Sequence, residues 1–130
     1  MANDPASMRT AAGRVRYLGS ARSGTTQSWH MRLTSAALVP LTIGFVWLIL
    51  SLVGKDYNSV RSELGNPFPA ILTLLFLIAT IYHMQLGMQM IIEDYVHGEH
   101  AKTWSLAANK FFSACVGLAC IYAVLRISFV

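Results

Sequence analysis

Charge is scarce in this sequence. Only 12% of its 130 residues are Asp, Glu, Lys or Arg, about half of the roughly 25% usual in soluble domains. With 55% hydrophobic residues and a mean hydropathy of +0.49, this excludes a disordered or nucleic-acid-binding tail and argues against a water-soluble globular monomer. Cysteine is scarce too, with Cys115 and Cys120 alone. Five residues apart on one helix, they point about 500° apart and on different faces, so one helix cannot join them. They read as buried thiols. CxxC, CxxCH and zinc spacings are absent, so a covalently attached haem or an iron–sulfur cluster is not carried by this chain alone. The length allows one domain.

Long uncharged runs are what the chain has instead. Three cover residues 33–54, 64–92 and 111–125. A spanning helix needs about 20 apolar residues at 1.5 Å rise each, which the first two provide. The third spans once Arg126 snorkels and residues 127–130 are added. The fold class expected is therefore all-α integral membrane, with helices at about 30–54, 67–95 and 104–128. They form a transmembrane domain, 29–130, behind a polar, basic segment, 1–28. Pro40 falls inside the first helix, where a membrane span tolerates it. Asn66-Pro67-Phe68-Pro69 should set the start of the second helix near Pro69. The segment 1–28 is Arg- and Ser-rich with a single acid, Asp4. It fits a mitochondrial transit peptide or a short cytoplasmic extension, and the latter is the expectation.

The ten Lys and Arg outnumber the six Asp and Glu, and their placement orients the chain. Five precede the first apolar run (Arg9, Arg14, Arg16, Arg22 and Arg32), and Lys102 and Lys110 lie in the second loop. Lys55, Arg61 and Arg126 fall on the other side. Seven against three places the N-terminus inside and the C-terminus outside. Arg32 and Asp94 then emerge on the same, inner side of the membrane. No inverted repeat marks a transporter.

His83 is the one histidine inside an apolar run, and an ionisable side chain at such depth marks a functional site by default. A neutral imidazole bonded to a neighbouring helix is the competing reading. Ala79 and Gly87 lie four residues to either side on the same helical face, leaving a slot for a flat macrocycle, or simply close helix packing. Asp94 lies 11 residues beyond His83, which is about 1,100°, or three turns and 20°, so it shares that face roughly 16 Å further on. Tyr95 beside it is either part of the aromatic belt or a hydroxyl donor to a headgroup arriving through lipid. His97 and His100, flanking Glu99, read as solvated loop histidines before a metal pair. Met84, Met88 and Met90 read as adaptable packing. Ser113/Gly117 and Cys115/Ala119/Ala123 read as packing faces.

The stretch YHMQLGMQMIIEDYVH, with His83, Gly87, Asp94 and Tyr95 in order, resembles the second-helix signature of the succinate dehydrogenase hydrophobic membrane anchors of respiratory complex II. GSARSGTTQSWHMRLTSAALVPL resembles the approach to the first helix in the same anchors, and the likeness covers roughly residues 20–126. It implies a small subunit of a succinate:quinone oxidoreductase in the tricarboxylic acid cycle and respiratory chain, non-catalytic alone towards succinate. Its implied partners are a cytochrome b membrane subunit, an iron–sulfur subunit and a flavoprotein, with no nucleic acid. It implies His83 as an axial ligand of haem b, Gly87 as the haem slot, and Arg32 at a haem propionate or the quinone site. Tyr95 would bond ubiquinone, with Asp94 supporting that site. A six-coordinate b-type haem needs two axial side chains, so the partner would share it. The expected location is a bacterial inner membrane, with the mitochondrial inner membrane as the alternative. An anchor of a quinol-fumarate reductase and a purely structural subunit remain competing readings.

Overall fold

The structure, a computed structural model, describes residues 23–129. Residues 1–22, most of the expected polar segment, lie outside the described residues. Four helices follow in order: α1 Ser23–Leu52, α2 Tyr57–Leu64, α3 Pro67–Tyr95 and α4 Glu99–Phe129. The described residues contain no strand. α1, α3 and α4 are each long and apolar enough to cross a membrane. At 30, 29 and 31 residues they run to roughly 45 Å, beyond a hydrocarbon core of about 30 Å.

Helix ends do not coincide with the ends of the apolar runs. α1 begins at Ser23 rather than near residue 30, and α4 at Glu99 rather than near 104. Apolar composition locates the part in lipid, while the hydrogen-bonded spiral continues into the polar flanks until a breaker stops it. Pro40 sits inside α1 without ending it. α3 starts two residues before Pro69, with Pro67 in its first turn and Asn66 extended before it. That is where a missing N–H costs nothing and where a pre-proline residue avoids the helical region.

The connection between α1 and α3 holds a short helix, α2, where the apolar pattern had suggested only a loop. Gly54 turns the chain at φ +80°, a conformation that favours glycine. Lys55 then pairs with Glu63, and the Ser59 hydroxyl donates to Asp56 Oδ1 at 2.5 Å. That hydroxyl holds the Asp56 carboxyl below the usual carboxylate range.

α3 stands in the middle, packed against α1 on one side and α4 on the other, while α1 and α4 make no comparable contact. On the α1 side, Phe45 stacks on Phe76 with centroids 4.3 Å apart, and Gly44 lets Leu72 approach. On the α4 side, Gly117 lies against Ile81, Asn109 Nδ2 donates to the Gln85 carbonyl at 3.0 Å, and Lys102 Nζ donates to that of Glu93 at 2.6 Å. Almost nothing apolar is enclosed. Leu48 and Leu86 are the only buried hydrophobic residues among those described, whereas Trp47, Phe68, Phe111 and Leu118 stand exposed. Such surfaces belong against lipid or another protein. Ser113 and Gly117 do face inward, but Ala119, Ala123 and Cys115 face out. The expectation of buried thiols is therefore corrected: Cys115 is exposed and Cys120 half-buried. A spanning helix presents apolar residues on its outer face as well, so apolar surroundings in sequence do not imply burial within the chain.

Candidate functional site

His83 sits in the middle of α3, half-buried, on the side that meets α1. Its Nδ1 lies 3.0 Å from Thr34 Oγ1. One turn on, Gly87 faces the same helix, and among the described residues a Cβ added there would meet only the flexible end of Met31, at 3.6 Å. His83 and Gly87, two of the residues of the expected slot, thus both face α1, with Met31 beside Gly87. His83 Nε2 has no hydrogen-bond partner among the described residues. A second pair lies alongside: His30 Nδ1 is 2.8 Å from the Tyr82 hydroxyl, their rings meeting edge to face. Two histidine–hydroxyl bonds therefore join α1 to α3 at neighbouring levels.

The register fixes the remaining cations. Thr34 opposes His83, so on the antiparallel α1 Arg32 stands roughly 3 Å further towards the Tyr95 end of α3, about level with Gln85. Lys110 follows Asn109, which bonds the Gln85 carbonyl, so it stands at that level as well. Arg32 and Lys110 are both exposed. α1 and α4 thus pass from charged to uncharged sequence almost level with His83, while α3 remains uncharged to Ile92.

Asp94 and Tyr95 close α3, and both are exposed, Tyr95 to 77%. Neither side chain bonds another described residue. The structure does not bring Arg32 to Asp94. Asp94 lies nine residues past the level of Arg32, roughly 13 Å along the axis, because α1 continues helically beyond its apolar run. A ladder of Gln85, Gln89 and Glu93 runs up the same stretch of α3, at 3.2 and 2.8 Å. His97 and His100 are exposed, and among the described residues no three His, Cys, Asp or Glu side chains converge on a metal site.

Thr34, His30 and Tyr82 were not singled out from the sequence. The signal available was helical spacing: His30 and Thr34 lie one turn apart on one face, and a hydroxyl among apolar residues seeks a partner across helices.

Comparison with known proteins bears on what such an arrangement belongs to. Residues 6–124 match the family described as succinate dehydrogenase/fumarate reductase transmembrane subunit. The chain is 33% identical over 109 residues to the succinate dehydrogenase hydrophobic membrane anchor subunit of Paracoccus denitrificans, covering 84% of each chain. It is 32% identical over 111 residues to the subunit of the same name from Rickettsia bellii, covering 85% of this chain and 89% of the relative. The succinate dehydrogenase membrane anchor subunit of Reclinomonas americana is 28% identical over 88 residues, 65% of this chain and 73% of the relative. No solved structure matches significantly. With a family match across most of its length and three helices able to span a membrane, the chain belongs to the succinate dehydrogenase/fumarate reductase transmembrane subunit family.

Proposed function

We propose that this chain is the membrane-anchor subunit of a succinate dehydrogenase, lending one axial ligand to a shared haem b and part of the ubiquinone-reduction site. The observation that carries this is His83, an imidazole with Nδ1 engaged by Thr34 and Nε2 without a partner among the described residues, beside a glycine whose side-chain space borders, among those residues, only Met31. The donor set fits haem, since a porphyrin supplies four nitrogens and asks of this chain a single neutral imidazole. When bound, haem b supplies one-electron transfer. Arg32, close in level to His83, would offset a propionate. The cytochrome b partner would supply the other protein ligand.

Tyr95 and Asp94 serve the quinone. Reduction to quinol takes two electrons and two protons, and the site needs donors where charge develops on the carbonyl oxygens. The Tyr95 hydroxyl stands at the inner end of α3, open to a lipid-soluble ligand, and the Asp94 carboxylate beside it orients that hydroxyl or pairs with a cation of the partner. Electrons arrive from the iron–sulfur and flavoprotein subunits, docked on the inner side with the N-terminus. The membrane is a bacterial inner membrane. The relatives from Paracoccus, Rickettsia and Reclinomonas carry the succinate dehydrogenase name, which favours quinone reduction over the reverse reaction.

A purely structural role is the second reading, because the His83–Thr34 bond is also what a packing histidine makes. Replacement of His83 by alanine in the assembled complex separates the two. We expect the low-spin b-type absorption to vanish or shift. An unaltered spectrum and potential would leave His83 as a packing residue.

A further inference from the structure

We infer that Thr34 is a positioning residue that fixes the tautomer of His83 and thereby presents Nε2, as a lone pair, to the haem iron. The inference rests on the ligand role proposed for His83.

Counting protons decides the tautomer. Thr34 Oγ1 lies 2.9 Å from the His30 carbonyl oxygen, 3.0 Å from that of Met31 and 3.0 Å from His83 Nδ1. Carbonyl oxygens only accept, and a hydroxyl has one proton to give. Oxygen–oxygen contacts this short need a proton between them, or lone pairs would face each other. The Thr34 proton therefore points at the carbonyls of the preceding turn, shared between them. Towards His83 only a lone pair remains, so Nδ1 must carry the hydrogen and donate. A neutral imidazole has one N–H, which leaves Nε2 bare. Reversing the bond would place the proton on Nε2 and close that nitrogen to a metal.

The same bond acts on the ligand's strength. A ring N–H donating to an oxygen fixes the plane of the imidazole and raises the basicity of the opposite nitrogen. A more basic ligand favours ferric over ferrous iron and lowers the potential. Thr34 would act on the haem only through His83, the one side chain its hydroxyl bonds among the described residues. The adjoining His30–Tyr82 bond holds the same two helices in register, so the geometry at Thr34 is braced from its own side of the interface.

The test compares Thr34→Val, which keeps the shape and removes the oxygen, with Thr34→Ser, which keeps the hydroxyl, in the complex purified from membranes. Midpoint potential and low-spin electron paramagnetic resonance of the haem are read together with haem content. The valine variant should retain haem while the ratio of reduced to oxidised haem at a fixed potential rises about tenfold, equivalent to about 59 mV for one electron. The serine variant should return the native potential and resonance. Should valine impair assembly, Thr34→Ala removes the same oxygen and carries the same comparison. Native potential in the valine or alanine variant, or a serine variant that fails to restore it, overturns the inference. His83→Ala, measured in parallel, separates the failures. An unaltered haem there overturns the ligand role and the inference with it. An altered haem beside an unaffected Thr34→Val overturns the inference alone.

Discussion

If the proposed function holds, Tyr95 and Gly87 are where single atoms would decide the chemistry. Changing Tyr95 to phenylalanine keeps the ring and deletes only the hydroxyl. Quinone reductase activity should fall about tenfold or more, the equivalent of a hydrogen bond worth ~1.4 kcal/mol. Succinate oxidation with a soluble artificial acceptor should stay near normal. Equal loss of both would indicate failed assembly, and loss of neither would leave Tyr95 as a belt aromatic. At Gly87 the space is bordered only by Met31, so Gly87→Leu should lower haem content or shift its absorption, while Gly87→Ala should be tolerated. The placement of His83, Gly87, Asp94 and Tyr95 along one helix was legible in the sequence, because rise and rotation per residue relate them. Thr34 was not, since its meaning comes from the register between α1 and α3. That register is set by packing at Gly44 and the Phe45–Phe76 stack, and no count along one helix reveals it.

Between elements, α3 carries the fold, because both neighbours pack on it and barely on each other. The two interfaces differ in tolerance. An added Cβ at Gly44 would lie 3.3 Å from Leu72 Cδ1, whereas at Gly117 it would lie 3.8 Å from Ile81, an ordinary contact. Gly44→Leu should therefore force α1 off α3, costing about 1–3 kcal/mol as overpacking and disturbing the Thr34–His83 contact. Gly117→Ala should be close to neutral. Thermal inactivation of the detergent-solubilised complex, followed with the haem spectrum, checks both. Equal effects of the two variants would contradict this difference in packing. The three spans were readable from uncharged runs, since lipid imposes that composition directly. Helix α2 and the helical extensions of α1 and α4 were not, because in water polar sequence is compatible with helix or loop. Those extensions explain why Arg32 lies far from Asp94 although both flank apolar runs at the same end of the array.

At the scale of the whole molecule, the described residues form an open array of helices with an apolar exterior, and this shape makes a demand. Trp47, Phe68, Phe111 and Leu118 are at ease in lipid, but Gln85, Gln89 and Glu93 form a polar ladder along α3, and Arg32 and Lys110 stand exposed almost level with His83. Polar groups in a bilayer need partners or water, and the described residues supply few. A second membrane protein laid against the array would cover them, and the proposed haem would share its two axial ligands across that seam. Under the proposed function, the end of the array that carries seven of the ten basic residues, by count along the sequence, would be the one facing the extrinsic subunits. Purification in mild detergent should therefore recover this chain with a second small membrane protein, an iron–sulfur protein and a flavoprotein, at constant ratio through gel filtration. Washing with high salt or chaotrope should release the extrinsic pair and leave the two membrane chains together, because the contacts between those two lie in lipid. A stable, active assembly built only of copies of this chain would contradict the proposal. It would mean that the exposed polar residues of α3 and α4 find their partners in a second copy.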